Sequence, residues 1–162
     1  MSGVIYLVQN DDSERLLEMT DTAYDQEFVG RAGAVEVEVF KRILQWSEQR
    51  ELSSWFGTGA QYGTCYPTYP TLMHKGECSW VFALLTYGSV EIEFGTMKTK
   101  PPLSDDKRRE IVRRLNEIPG ARIPENRLSG YPTIPLSRII DEAALRQFLS
   151  VFGWVVEEVR RL

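Results

Sequence analysis

The chain has 162 residues, 43% hydrophobic and 26% charged, with a formal net charge of -4. That length accommodates one domain with a sizeable core, and the composition excludes a disordered or fibrous chain. The apolar runs are shorter than a membrane span, so no transmembrane helix is expected.

Residues 4–8 and 14–19 are apolar-rich segments flanking the turn-forming cluster Asn10-Asp11-Asp12-Ser13. They suggest an N-terminal β-hairpin over residues 1–30, an appendage to a single α+β domain at 34–162. The opening run lacks a preceding basic region and a small-residue cleavage site, so secretion is not expected. Gly30 to Gly33 reads as a hinge.

Over 34–49 the periodicity becomes helical, with Val35, Val39, Ile43 and Trp46 in one stripe that Phe40 and Leu44 widen. Glu38 and Arg42 stand four residues apart on the polar side. Residues 52–97 read as an antiparallel meander of about four strands: Leu52 to Phe56, Thr64 to Tyr69, Cys78 to Tyr87 and Ser89 to Met97. The run from Trp80 to Leu85 is apolar on both faces and predicts the central strand. In the last strand Val90, Ile92 and Phe94 alternate with Glu91 and Glu93, which predicts one apolar and one solvated acidic face.

Ser104 is a good N-cap for a helix reaching Ile118, stopped by Pro119-Gly120. Ala121 to Pro135 is rich in Pro and Gly and reads as irregular. A final helix begins near Asp141 with Leu145, Phe148, Leu149, Phe152, Val156 and Val159 on one face. Strands followed by helices, about three in all, define an α+β fold and not a doubly wound parallel sheet.

Chemistry-bearing residues are sparse. The only histidine, His74, has Cys65 and Cys78 nearby in sequence; a metal site would need all three plus a carboxylate such as Glu77. No Cys-x-x-Cys pair supports it, and no metal or other cofactor is expected. Two cysteines are too few to staple a fold of this size, so they read as reduced thiols in a cytoplasm; a disulfide between them is a matter of geometry. The loop Gly57 to Gly63 lacks the Gly-x-Gly-x-x-Gly spacing and the Lys-Ser/Thr of phosphate loops. No Gly-x-Ser-x-Gly elbow supports a serine hydrolase. Glu91 and Glu93, followed by Lys98 and Lys100, are the one carboxylate pair that could hold a divalent metal for phosphodiester cleavage. Period-two alternation also explains them as an ordinary polar strand face.

Aromatic density in the meander is the more suggestive feature. Trp55, Tyr62, Tyr66 and Tyr69 are candidates for stacking on bases or anchoring a protein partner. Charge is also uneven: residues 1–52 hold 11 acids and 5 bases, whereas 97–138 hold 5 acids and 10 bases. With Ile111, Val112, Leu115 and Ile118 facing inward, Arg109 and Arg113 point outward as candidate phosphate contacts, which Lys98, Lys100 and Arg122 could extend. Asp106, Glu110 and Glu117 lie close enough in sequence to offset part of that charge.

The ordered pieces Trp55-Phe56-Gly57-Thr58-Gly59, Thr86 to Phe94, Lys100-Pro101-Pro102, Arg114 to Gly120 and Pro132 to Leu136 resemble an uncharacterised bacterial domain that accompanies restriction-endonuclease-like nuclease modules. The opening, Ile5 to Val8 through Met19-Thr20 and Tyr24-Asp25, is similar to the leader that precedes the nuclease in such chains. The nuclease core itself is missing. The sole Asp/Glu-x-Lys match, Asp105-Asp106-Lys107, opens a helix instead of lying on a strand, so the resemblance carries over no catalytic residues. It implies an association with DNA metabolism or defence.

Three functions follow. The first is a noncatalytic accessory module that binds nucleic acid or a nuclease-type partner. The second is a metal-dependent phosphodiesterase using Glu91 and Glu93. The third is a structural domain that forms homo-oligomers, for which an exposed Trp154 on the back of the final helix would speak.

Overall fold

Helix α1 (Ala34–Gln49) opens the part of the chain that a computed structural model describes, namely residue 30 and residues 32–58, 63–74, 77–99 and 102–162. At 55, 57–58, 63–66, 68–74 and 77–79 the description is of backbone alone. The expected N-terminal hairpin and Tyr62 lie outside the described residues. Val39, Phe40, Ile43 and Trp46 of α1 are buried as the periodicity predicts, whereas Val35, at the helix start, is exposed.

An antiparallel sheet follows: β1 (Ser53–Thr58), β2 (Gly63–His74), β3 (Glu77–Trp80), β4 (Phe82–Leu85), β5 (Ser89–Ile92) and, much later, β6 (Thr133–Pro135). The order is β1-β2-β4-β5-β6, with β3 also on β2. Trp80 pairs with Thr68 and Leu84 with Cys65, so four residues on one side span three on the other. Segments β3 and β4 are therefore a single lane interrupted by a bulge at Val81. That lane is the central strand foreseen from its apolar run, and all four β4 residues are buried. Two expectations fail here. The strand expected to reach Met97 ends at Ile92, and the 121–135 stretch, read as irregular, supplies edge strand β6.

Pairing Phe82 with Ile92, Leu84 with Val90, and Val90 with Ile134 puts all five side chains on one face, where the helices pack. Phe82 meets Phe148 and Phe152 edge-on, with ring centroids 5.7 and 4.7 Å away. Burying aromatics of this size is the largest single source of apolar stabilisation in such a layer.

Helix α2 (Asp105–Leu115) starts where Ser104 Oγ accepts the Lys107 N–H, as the cap rule predicts. Its buried side is the expected Ile111, Val112 and Leu115, joined by Arg108, which pairs with Asp105. Asn116 then holds the following loop, donating to the Ile123 carbonyl at 3.0 Å and accepting from its N–H at 2.8 Å. Helix α3 (Glu142–Arg160) is capped by Asp141, whose Oδ1 accepts from Ala143 and Ala144. Arg42 does not settle on Glu38; it makes a bidentate bridge to Glu142 at 2.7 and 3.0 Å, tying α1 to α3. No helix is long and apolar enough to cross a membrane among the described residues.

Candidate functional site

Glu91 and Glu93 come together at the exit of β5, but not as an open acidic face. Glu93 is 4% exposed and Glu91 is half-buried. The alternation is sound; what the sequence conceals is that the strand stops one residue before Glu93. Its N–H still donates to the Val81 carbonyl at 3.0 Å, and the chain then turns into a single 3-10 turn, Thr96–Lys98. That turn brings Thr96 Oγ to Glu93 Oε2 at 2.9 Å, and Trp80 Nε1 donates to the same oxygen at 3.2 Å.

Burial is the main cause that pushes the Glu93 carboxyl up to about 8, and the neighbouring Glu91 charge adds to it. Burial also raises Glu91, against which the hydrogen bond to Glu93 works. The pair therefore behaves as an acid and a carboxylate sharing one proton, with the protonated Glu93 donating to Glu91. Such a pair holds strand end and turn together, and a dication would have to displace its proton.

The aromatic candidates are defined by backbone register. Trp55 stands opposite Tyr66, and Tyr69 opposite Ser79. Of the metal candidates, Cys65 stands opposite Phe56 and Leu84, His74 opposite Glu77, and Cys78 lies on β3. No cluster of three His, Cys, Asp or Glu side chains able to hold a metal occurs among the described residues.

Arg109 and Arg113 are exposed on α2 and flank a cleft of about 320 Å³ floored by Val112 and Leu128. They are not equally available. All three Arg113 nitrogens are engaged: Nε and Nη2 with Glu110, both at 2.8 Å, and Nη1 with Glu117 at 2.7 Å. Arg113, then Arg114, holds the Glu110 carboxyl well below the usual range. Arg109 has one polar contact among the described residues, Nη1 to Asp106 at 3.3 Å. Trp154 is half-buried beneath the Arg114 guanidinium, 4.3 Å from the ring centroid, so the indole is not the bare surface that the oligomerisation reading drew on.

Different cations stand free. Lys98, Arg122, Arg127 and Arg138 are exposed, and no carboxylate lies in ion-pair range of any of them among the described residues. Arg138 lies over Gly120, where a Cβ would meet its Cδ at 3.1 Å, so it sits beside the turn that leads to Arg122. Gly95 donates to the Gly130 carbonyl at 3.0 Å, and Gly130 to the Arg127 carbonyl at 3.0 Å. The turn bearing Lys98 therefore adjoins the one bearing Arg127. Sequence reading reached Lys98 and Arg122 but not Arg127 or Arg138, whose only signal was a scarcity of acids after Glu117. Comparison of the chain with models of known families, with curated proteins and with solved structures returned no match.

Proposed function

We propose that this chain is a noncatalytic binding module that grips the phosphate backbone of nucleic acid, acting beside a nuclease-type partner. The observation that carries the reading is the set of exposed cations Lys98, Arg122, Arg127 and Arg138, which have no carboxylate in ion-pair range among the described residues, on a chain that neutralises the arginines of α2 with its own carboxylates. Cations without internal partners release condensed counterions on meeting a polyanion, which favours association. The Glu91 and Glu93 pair supports the same reading: Glu93 Oε2 already accepts two hydrogen bonds and its carboxyl favours the protonated form, a poor starting point for a metal ligand. The association with a nuclease rests on the sequence resemblance alone.

The test is fluorescence anisotropy with labelled DNA at two salt concentrations. Replacing Arg122, Arg127 and Arg138 together with Glu should weaken binding more than tenfold and flatten the salt dependence by up to about 0.9 per lost contact on duplex DNA. The Arg109→Glu, Arg113→Glu double variant should lose less, because Arg113 is already occupied. No binding by the parent, or a larger loss in the α2 variant, would refute this placement.

A further inference from the structure

Tyr131 is one of the large side chains left exposed among the described residues. It is 48% exposed, and its hydroxyl and ring have no hydrogen-bond or ring partner among the described residues. Yet its backbone is fixed on both sides: the Gly130 carbonyl accepts from Gly95 at 3.0 Å and the Pro132 carbonyl from Ile92 at 2.8 Å. The ring itself packs on Gly95, where a Cβ would stand 2.5 Å from Cζ and the hydroxyl oxygen. Glycine is what lets an aromatic lie down at that position. Lys98 is three residues beyond Gly95, and Arg127 lies against Gly130, where a Cβ would stand 3.5 Å from its Nε, so the two turns that the Gly95 to Gly130 bond joins each carry a cation with no carboxylate in ion-pair range among the described residues.

We infer that Tyr131 is a stacking platform for an unpaired base, with Lys98 and Arg127 holding the adjoining phosphates, and that the nucleic acid bound here is single-stranded. The inference rests on the nucleic-acid reading given above and narrows it. An exposed aromatic on a fixed backbone loses little freedom on binding, and a base offers it a free π-face only where the strand is unpaired. Because every base has such a face, the contact tolerates sequence. A protein partner is the competing occupant.

The experiment measures dissociation constants of the full chain for a labelled oligothymidylate and for a duplex, with Tyr131→Ala and Tyr131→Phe. Tyr131→Ala should weaken oligothymidylate binding about tenfold and leave duplex binding within about twofold, while Tyr131→Phe keeps both. Equal urea stability of the two variants confirms that the fold is untouched. Unchanged oligothymidylate affinity in Tyr131→Ala, with the arginine variants still impaired, overturns the platform and leaves the cationic surface standing. Failure of the parent to bind either probe overturns both.

Discussion

Replacing Glu93 with glutamine isolates the shared proton. In the Glu93→Gln variant the side chain keeps its shape, its carbonyl can accept from Trp80 and Thr96, and its amide can donate to Glu91, as the protonated acid does. What disappears is the titration. The native carboxyl sits at about 8 against an ordinary value of 4.5, so between those values the folded chain holds a proton that the unfolded chain has released. A raised value means stability is full below the unfolded pKa and is lost as pH rises through the folded one. The slope is about 1.4 kcal/mol per pH unit and the total about 4 to 5 kcal/mol. Glu110 and Glu142 act oppositely: Arg113 and Arg42 lower them, so their contribution is lost as pH falls below the ordinary carboxylate range. Stability should therefore peak near pH 5, and the parent should melt roughly 10 to 20 °C lower near pH 9 than at the peak. Urea titrations across this range should show Glu93→Gln losing less stability than the parent from pH 5 to 8, the remaining slope being that of the half-buried Glu91, and more stable than the parent at alkaline pH. Parallel profiles for the two proteins would refute the buried proton.

Two further substitutions test what positions these surfaces. Asn116→Ala removes both bonds to the Ile123 backbone and should cost about 1 to 3 kcal/mol, with faster amide exchange at Ile123; unchanged exchange would mean the loop is held by other contacts. Phe82→Ala empties a fully buried site against Phe148 and Phe152 and should cost about 3 to 5 kcal/mol in urea unfolding; a loss below about 1 kcal/mol would contradict the sheet register.

The α+β fold was legible because its signals are local and periodic. Ser104 and Asp141 cap helices where the rules place them, the stripes Ile111, Val112, Leu115 and Leu145, Phe148, Phe152 are buried, and the run at Trp80 to Leu85 is central. What failed was set by contacts distant in sequence. Alternation at Val90 to Phe94 gives the face of each residue but not the end of the strand, so Glu93 read as solvated when Trp80 and Thr96 enclose it. Strand β6 has only three residues and forms because β5 offers it a partner. The α2 arginines were found by projection, and the partial offset of their charge was visible in the spacing of Glu110 and Glu117. The free cations and Tyr131 follow from how the 118–138 segment lies on the Gly95 turn, which no local pattern encodes.

Strand β6 closes the sheet with a prolyl residue at Pro135, and Pro132 stands immediately before it. Pro132 turns toward β5, where its carbonyl accepts from Ile92, whereas Pro135 falls on the outward side of the register, so the open margin lacks one donor that an incoming strand would need. A short margin interrupted by an imide nitrogen resists ribbon-on-ribbon growth. Tyr131, which precedes this strand, can thus stand exposed beside a sheet border that is a poor template for another strand.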